Sequence, residues 1–123
     1  MPHIIESENY LFVHAGIDFS KNLEDQEIKY LLWTRDDWYK KNNTGKIIYY
    51  GHTPQKDISI RNNCINLDSG CFFTEVLRCV ELKDKKLFVL KKGRIKVKSY
   101  KVYKIKKDWK NKIFNLINCI KKD

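Results

Sequence analysis

The stretch Ile47-Ile48-Tyr49-Tyr50-Gly51-His52-Thr53-Pro54 runs four apolar or aromatic residues straight into a Gly-His-Thr-Pro turn. β-Branched and aromatic residues favour extended backbone, and the run is too short for a helix, so it predicts a buried strand over residues 47–50. Gly51 is expected to turn with positive φ or to let a ligand approach the backbone. Pro54 fixes its own φ and ends the strand. His52 therefore falls at the carboxyl end of a buried strand, where open α/β sheets collect ligand chemistry. One histidine in that place reads more readily as a ring merely hydrogen-bonded in the turn, because fold position alone is weak support for function.

The pattern occurs twice. Tyr10-Leu11-Phe12-Val13 is a second apolar run, and it ends on His14-Ala15-Gly16. Two strands each deliver a histidine beside a glycine. Neutral imidazole is a common ligand for divalent transition metals, and small neighbours leave room for an ion and its substrate. The pair favours a metal site at His14 and His52. His3 stands near the terminus without a companion and receives no role.

Four segments then resemble one known family in order and rough spacing: Phe12-Val13-His14-Ala15-Gly16-Ile17, Leu32-Trp33-Thr34-Arg35-Asp36, Tyr50-Gly51-His52-Thr53-Pro54 and Asn66-Leu67-Asp68-Ser69-Gly70. They resemble a bacterial serine/threonine phosphoprotein phosphatase and, more broadly, the calcineurin-like metallophosphoesterases, over about residues 1–82. The resemblance implies an α/β fold, a four-layer α/β/β/α sandwich. It also implies two divalent metal ions, manganese or iron, and hydrolysis of phosphate monoesters by a metal-activated water. By position, His14 and His52 match two histidine ligands of the second metal, and Arg35 matches the arginine that grips the substrate phosphate. The family's GDxHG, GDxxDRG and GNHE motifs do not occur in this sequence. They would supply the remaining metal ligands, the catalytic-acid histidine and another phosphate-binding arginine. The chain thus resembles the C-terminal half of such an enzyme, expected to be weak or inactive alone. Its expected partners are a phosphorylated protein or small phosphoester, and a separately encoded N-terminal half.

Arg35 is also readable without the family. A guanidinium fork binds phosphate oxygens in a way lysine cannot reproduce. It also suits an ordinary surface pair with Asp36 or Asp37, which stabilises by only ~0–1 kcal/mol.

Composition bounds the rest. Over 123 residues, 42% hydrophobic and 13% aromatic content fit a globular chain rather than a disordered one. No run has the apolar length of a membrane span, and the first residues lack the pattern of a secretion signal, so a cytoplasmic location is expected. Cys64, Cys71, Cys79 and Cys119 lack C-x-x-C spacing and are read as free thiols, with Cys64 and Cys79 packing as small hydrophobes.

Along the chain, strands are expected at 9–13, 47–50, 64–68, 74–82, 87–90 and 94–106, with a bulge near Ser99. A short helix is expected from Leu23 to Leu32, its acids Glu24, Asp25 and Glu27 falling near the positive end of the helix dipole. Residues 55–63 read as a polar loop. Hairpin turns are expected around 83–85 and 91–93. The organisation is then a partial metallophosphoesterase domain, 1–82, and a basic extension, 83–123. The extension holds sixteen Lys or Arg against three Asp or Glu, while residues 1–82 are net acidic. Asp108 is placed to cap a C-terminal amphipathic helix with a Trp109, Ile113, Leu116, Ile117 and Ile120 stripe. This leaves two alternatives to a phosphoesterase: a non-catalytic remnant, or a basic anion-binding module acting through residues 83–123. Nucleic acid is not the expected partner.

Overall fold

The computed structural model describes residues 1–83 and 86–91, together with the backbone of 94–101. It is α/β and rich in strands with few, short helices, and is compatible with part of a metallophosphoesterase fold. The chain divides into two compact units, Met1–Ser69 and Gly70–Asp123.

The first unit is a five-stranded sheet built from β1 (Ile4–Glu6), β2 (Tyr10–Val13), β3 (Ile47–Tyr50), β4 (Ser59–Arg61) and β5 (Cys64–Asn66), in the order β1-β2-β3-β5-β4. The three central strands are parallel, and β1 and β4 close the edges antiparallel. Central strands buried from both sides need apolar residues in succession. Cys64, Ile65 and Asn66 of β5 are all buried, as are Ile48 and Tyr49 of β3.

Alternation sorts the side chains. Leu11, Val13, Ile48 and Cys64 share one face and pack with Ile17, Leu31, Trp38 and Tyr39 in a single core. The opposite face carries aromatic contacts, with Phe12 and Tyr49 stacked at 5.6 Å and Tyr10 at 6.1 Å from Tyr49. Burial drives the Tyr49 hydroxyl up to about 12, so this face holds a neutral phenol at any ordinary pH.

Several expectations need correction. The helix expected over Leu23 to Leu32 is broken into a 3-10 turn, Leu23–Asp25, and α1, Ile28–Trp33. The cause is Gln26, whose side chain accepts from the Asp18 amide at 2.8 Å and donates to the Asp18 carbonyl at 2.7 Å. That clamp holds Gln26 in extended backbone, so one continuous helix cannot form. The polar loop over 55–63 contains β4. Asn62 and Asn63 both have positive φ, 45° and 61°, and Arg61 pairs with Cys64. Two such residues make the two-residue hairpin turn whose twist matches its strands, and asparagine tolerates that conformation. Strand β1 and a 3-10 turn at Trp38–Lys41 were likewise not expected from the sequence. The strands at 10–13, 47–50 and 64–66 are interior to the sheet, and β1 and β4 form its edges.

The second unit opens with a single helical turn, α2 (Cys71–Thr74). An antiparallel meander comes next, of β6 (Val76–Glu81), β7 (Lys86–Lys91) and β8 (Arg94–Lys101). The register slips between Val89 and Lys91, opposite residues 94–98. The irregularity therefore precedes Ser99, which sits in regular register opposite Phe88. Cys64 is buried, and its thiol is pushed up to about 12 by that burial, which leaves it inert. Cys79, in contrast, is exposed rather than packed. The turn residues 84–85 and 92–93, the end of the run expected over 94–106, the amphipathic helix from Asp108 and Cys119 lie outside the described residues.

Candidate metal and phosphate site

Two parallel neighbours, β2 and β3, end side by side, and one hydrogen bond joins the loops that leave them. The Gly51 amide donates to the His14 carbonyl at 2.8 Å. The Thr53 amide then donates back to the Gly51 carbonyl at 2.8 Å, closing a three-residue turn around His52. Three-residue turns are commonly made with negative φ at the centre, and this one takes the rarer, strained form, with His52 at φ 69°. Gly51 was expected to carry that conformation. Its missing Cβ serves instead to admit Asp68, whose own Cβ would lie 3.3 Å from one added at Gly51. A histidine held at positive φ stores strain of order 1–3 kcal/mol, and such residues concentrate at functional sites.

The strained turn faces His52 toward His14. Nε2 of His14 lies 3.2 Å from Nδ1 of His52, and the ring centroids are 5.0 Å apart. That separation suits one shared proton. It also suits a shared ion, because nitrogens about 2.0–2.1 Å from one metal and roughly 100° apart are separated by about 3.2 Å. The other ring nitrogen of His52, Nε2, is buried without a hydrogen-bond partner. Among the described residues, no group of three or more His, Cys, Asp or Glu is arranged to hold a metal ion. The imidazole pair therefore fits one edge of a coordination shell, and the remaining ligands have to come from elsewhere.

Gly16 does not make room for an ion, as its sequence position suggested. A Cβ there would run into the indole nitrogen of Trp38 and lie 2.5 Å from the Thr34 methyl. The glycine exists to let a buried tryptophan pack against the loop after β2. The same loop is fastened to α1 by the Ala15 amide, which donates to the Leu31 carbonyl at 2.8 Å.

That fastening brings the end of α1 to the histidines. Trp33, the last helical residue, meets the His52 ring edge-on at 5.5 Å, although two-thirds of it remains exposed. Arg35 comes two residues later. Neither neighbouring aspartate holds it. Asp36 accepts from the Tyr30 hydroxyl at 2.9 Å and from the Trp38 amide at 3.1 Å, and Asp37 is paired with Lys40 and the Tyr39 hydroxyl. Arg35 lines a groove of about 180 Å³ that also touches Ala15 and Thr53, the residues immediately after His14 and His52.

Burial holds His52 below its ordinary value of 6.5, and the positive charges of Arg35 and of a protonated His14 add to the effect. The Asp68 carboxylate opposes them. The Trp33 backbone also favours the charged ring, without completing a hydrogen bond to Nε2. A neutral imidazole is the form that binds metal. This lowered value also makes stability depend on pH. As pH falls below about 6.5, the unfolded chain takes up the proton before the folded chain does, so stability declines until the folded value is passed. The metal-free chain is expected to lose thermal stability as pH falls through and below about 6.5. His52→Gln should flatten part of that slope, and identical slopes in the two proteins would contradict it.

Two residues outside the sequence expectations complete the frame. Asn66 is 1% exposed, and its Nδ2 donates to the Thr53 carbonyl at 2.9 Å while its Oδ1 accepts from the Asp68 amide at 2.8 Å. It ties the His52 turn to the loop after β5. Arg61 lines the same groove as Arg35. A polar residue inside the apolar run Cys64-Ile65-Asn66 was the available signal for the first, and the Asn62-Asn63 turn for the second.

No family model matches the chain. Curated relatives do. The chain is 31% identical over 85 residues to a bis(5'-nucleosyl)-tetraphosphatase PrpE of Anoxybacillus flavithermus, covering 57% of this chain and 35% of that protein. A protein of the same name from Bacillus anthracis is 29% identical over 86 residues, again 35% of its length. One from a Geobacillus species is 49% identical over 39 residues, 32% of this chain and 16% of that protein. The chain thus spans about a third of the length of the first two relatives, and they support the metallophosphoesterase superfamily rather than a serine/threonine phosphatase in particular.

Proposed function

We propose that residues 1–82 form the C-terminal part of a metal-dependent phosphoesterase whose complete fold is the four-layer sandwich. The observation that carries the reading is the convergence of His14 and His52 to 3.2 Å. In this reading His14, through Nε2, and His52, through Nδ1, hold one divalent cation, manganese or iron. When bound, such an ion polarises phosphoryl oxygens and lowers the pKa of a coordinated water. Burial and Arg35 keep His52 neutral and ready to ligate. The hydrogen bonds from Gly51 and Asn66 fix the turn that aims it. Arg35 grips the phosphoryl oxygens through its fork and stabilises the charge that grows on them as the bond to phosphorus breaks.

The substrate class is a phosphoester or phosphoanhydride. The name shared by the relatives favours bis(5'-nucleosyl) tetraphosphates over a phosphoprotein. The chain alone is expected to be weak or inactive, because two imidazoles are an incomplete ligand set. The remaining ligands would be supplied from outside residues 1–82.

A graft tests this. The matching 85 residues of the Anoxybacillus flavithermus relative are replaced by those of this chain. With manganese, the chimera should hydrolyse a bis(5'-nucleosyl) tetraphosphate. Arg35→Lys, which keeps the charge but loses the fork, should cost on the order of 100-fold in kcat. A chimera that folds by circular dichroism yet has no activity would overturn the proposal.

A further inference from the structure

We infer that Arg61 is a further anion-binding residue of the groove, placed to grip a second phosphate of the linked phosphates proposed above. The inference deepens the phosphoesterase reading and rests on it. Arg35 and Arg61 line one groove, and its volume of about 180 Å³ is room for roughly six waters. A single phosphoryl group displaces fewer and is satisfied by one guanidinium fork. Linked phosphates carry several charges in a row and need cations at more than one point.

Arg61 is built for that use. It ends β4, and the Asn62-Asn63 turn behind it is locked in place. Asn62 Nδ2 donates to the carbonyls of Tyr39 at 2.9 Å and Asn42 at 3.0 Å. The guanidinium lies 5.3 Å from the centre of the Tyr39 ring, and its Nη1 donates to the Tyr39 hydroxyl at 2.6 Å. That hydroxyl donates to Asp37 at 2.5 Å, and Asp37 pairs with Lys40. The carboxylates on the groove wall are therefore already committed, Asp36 to Tyr30 and Trp38, and Asp37 to Tyr39 and Lys40. A guanidinium has five N–H donors, and one of Arg61's is spent on the phenol. The side chain is otherwise exposed, with its orientation set in advance, so less freedom is lost when an anion arrives. The polar side chains of Thr53, Gln55 and Asn66 line the groove as well.

The sequence holds four arginines, Arg35, Arg61, Arg78 and Arg94, so each side-chain Nε–Hε resonance can be followed in the full, metal-free chain. Orthophosphate is expected to shift Arg35 and leave Arg61 in place. Tripolyphosphate should shift Arg35 and Arg61 together, along one binding curve, with Arg78 and Arg94 reporting any diffuse attraction to the basic extension. Arg61→Lys should weaken tripolyphosphate about tenfold and orthophosphate by less than about twofold. If tripolyphosphate shifts Arg35 while Arg61 stays still, or shifts all four alike, this inference is wrong and the phosphoesterase reading survives. If neither phosphate moves Arg35, both are wrong.

Discussion

Trp38→Ala is expected to destabilise the chain by about 3–5 kcal/mol, the range for truncating a buried aromatic. Trp38 is 4% exposed, packs edge-to-face with Tyr50 at 4.9 Å, and fills the space left open by Gly16. Gly16→Ala attacks the same contact from the other side, and overpacking of this kind costs about 1–3 kcal/mol. The two effects should not add. With the indole gone, the added methyl loses its clash with Trp38 but keeps the one with the Thr34 methyl, so the double variant should lose less than the two single losses combined. Denaturant unfolding of the three variants measures this. Additive losses would mean that Gly16 and Trp38 do not share one contact. Domains commonly hold only about 5–15 kcal/mol of stability, so Trp38→Ala endangers folding itself.

That contact marks where sequence reading succeeds and where it stops. Apolar runs of four residues ending in His-Ala-Gly and Gly-His-Thr-Pro located β2 and β3 and their histidines, because a buried parallel strand must be apolar in succession. The role of Gly16 was not legible. A glycine beside a histidine looks the same whether its empty space serves an ion or an indole arriving from 22 residues away. The break in the Leu23–Leu32 helix was hidden for a similar reason, since periodicity does not reveal that Gln26 will bond to Asp18. The strand β4 is short, lies at an edge and is polar on one side, so it carries little hydrophobic pattern. Its signature was the turn, Asn62-Asn63, and with it the position of Arg61. The positive φ at His52 and the close approach of Asp68 to Gly51 both depend on chain segments distant in sequence, which no local rule reports.

Removing either imidazole is expected to have the largest effect on metal affinity. Residues that merely orient a ligand contribute about 10–100-fold to metal binding, so deleting a ligand from a set of two should cost on the order of 100-fold or more. His14→Ala and His52→Ala should therefore each reduce Mn²⁺ affinity to that of a chain without the site. His52→Gly should do the same while being about 1 kcal/mol more stable than His52→Ala, because glycine accepts positive φ without strain. Calorimetric titration with Mn²⁺ measures the affinities and thermal unfolding the stabilities. Unchanged affinity in one single variant would remove that histidine from the site.

The central claim is that His14 and His52 share one metal ion, and the two single variants, His14→Ala and His52→Ala, supply the controls. Sub-stoichiometric Mn²⁺ added to the ¹⁵N-labelled chain broadens the imidazole resonances of residues beside the bound ion. The His14 and His52 resonances are expected to vanish together in the native chain, whereas at the same Mn²⁺ level the remaining histidine of the pair should persist in either single variant. Broadening of His14 without His52, or undiminished broadening of either one when the other is replaced, would contradict it.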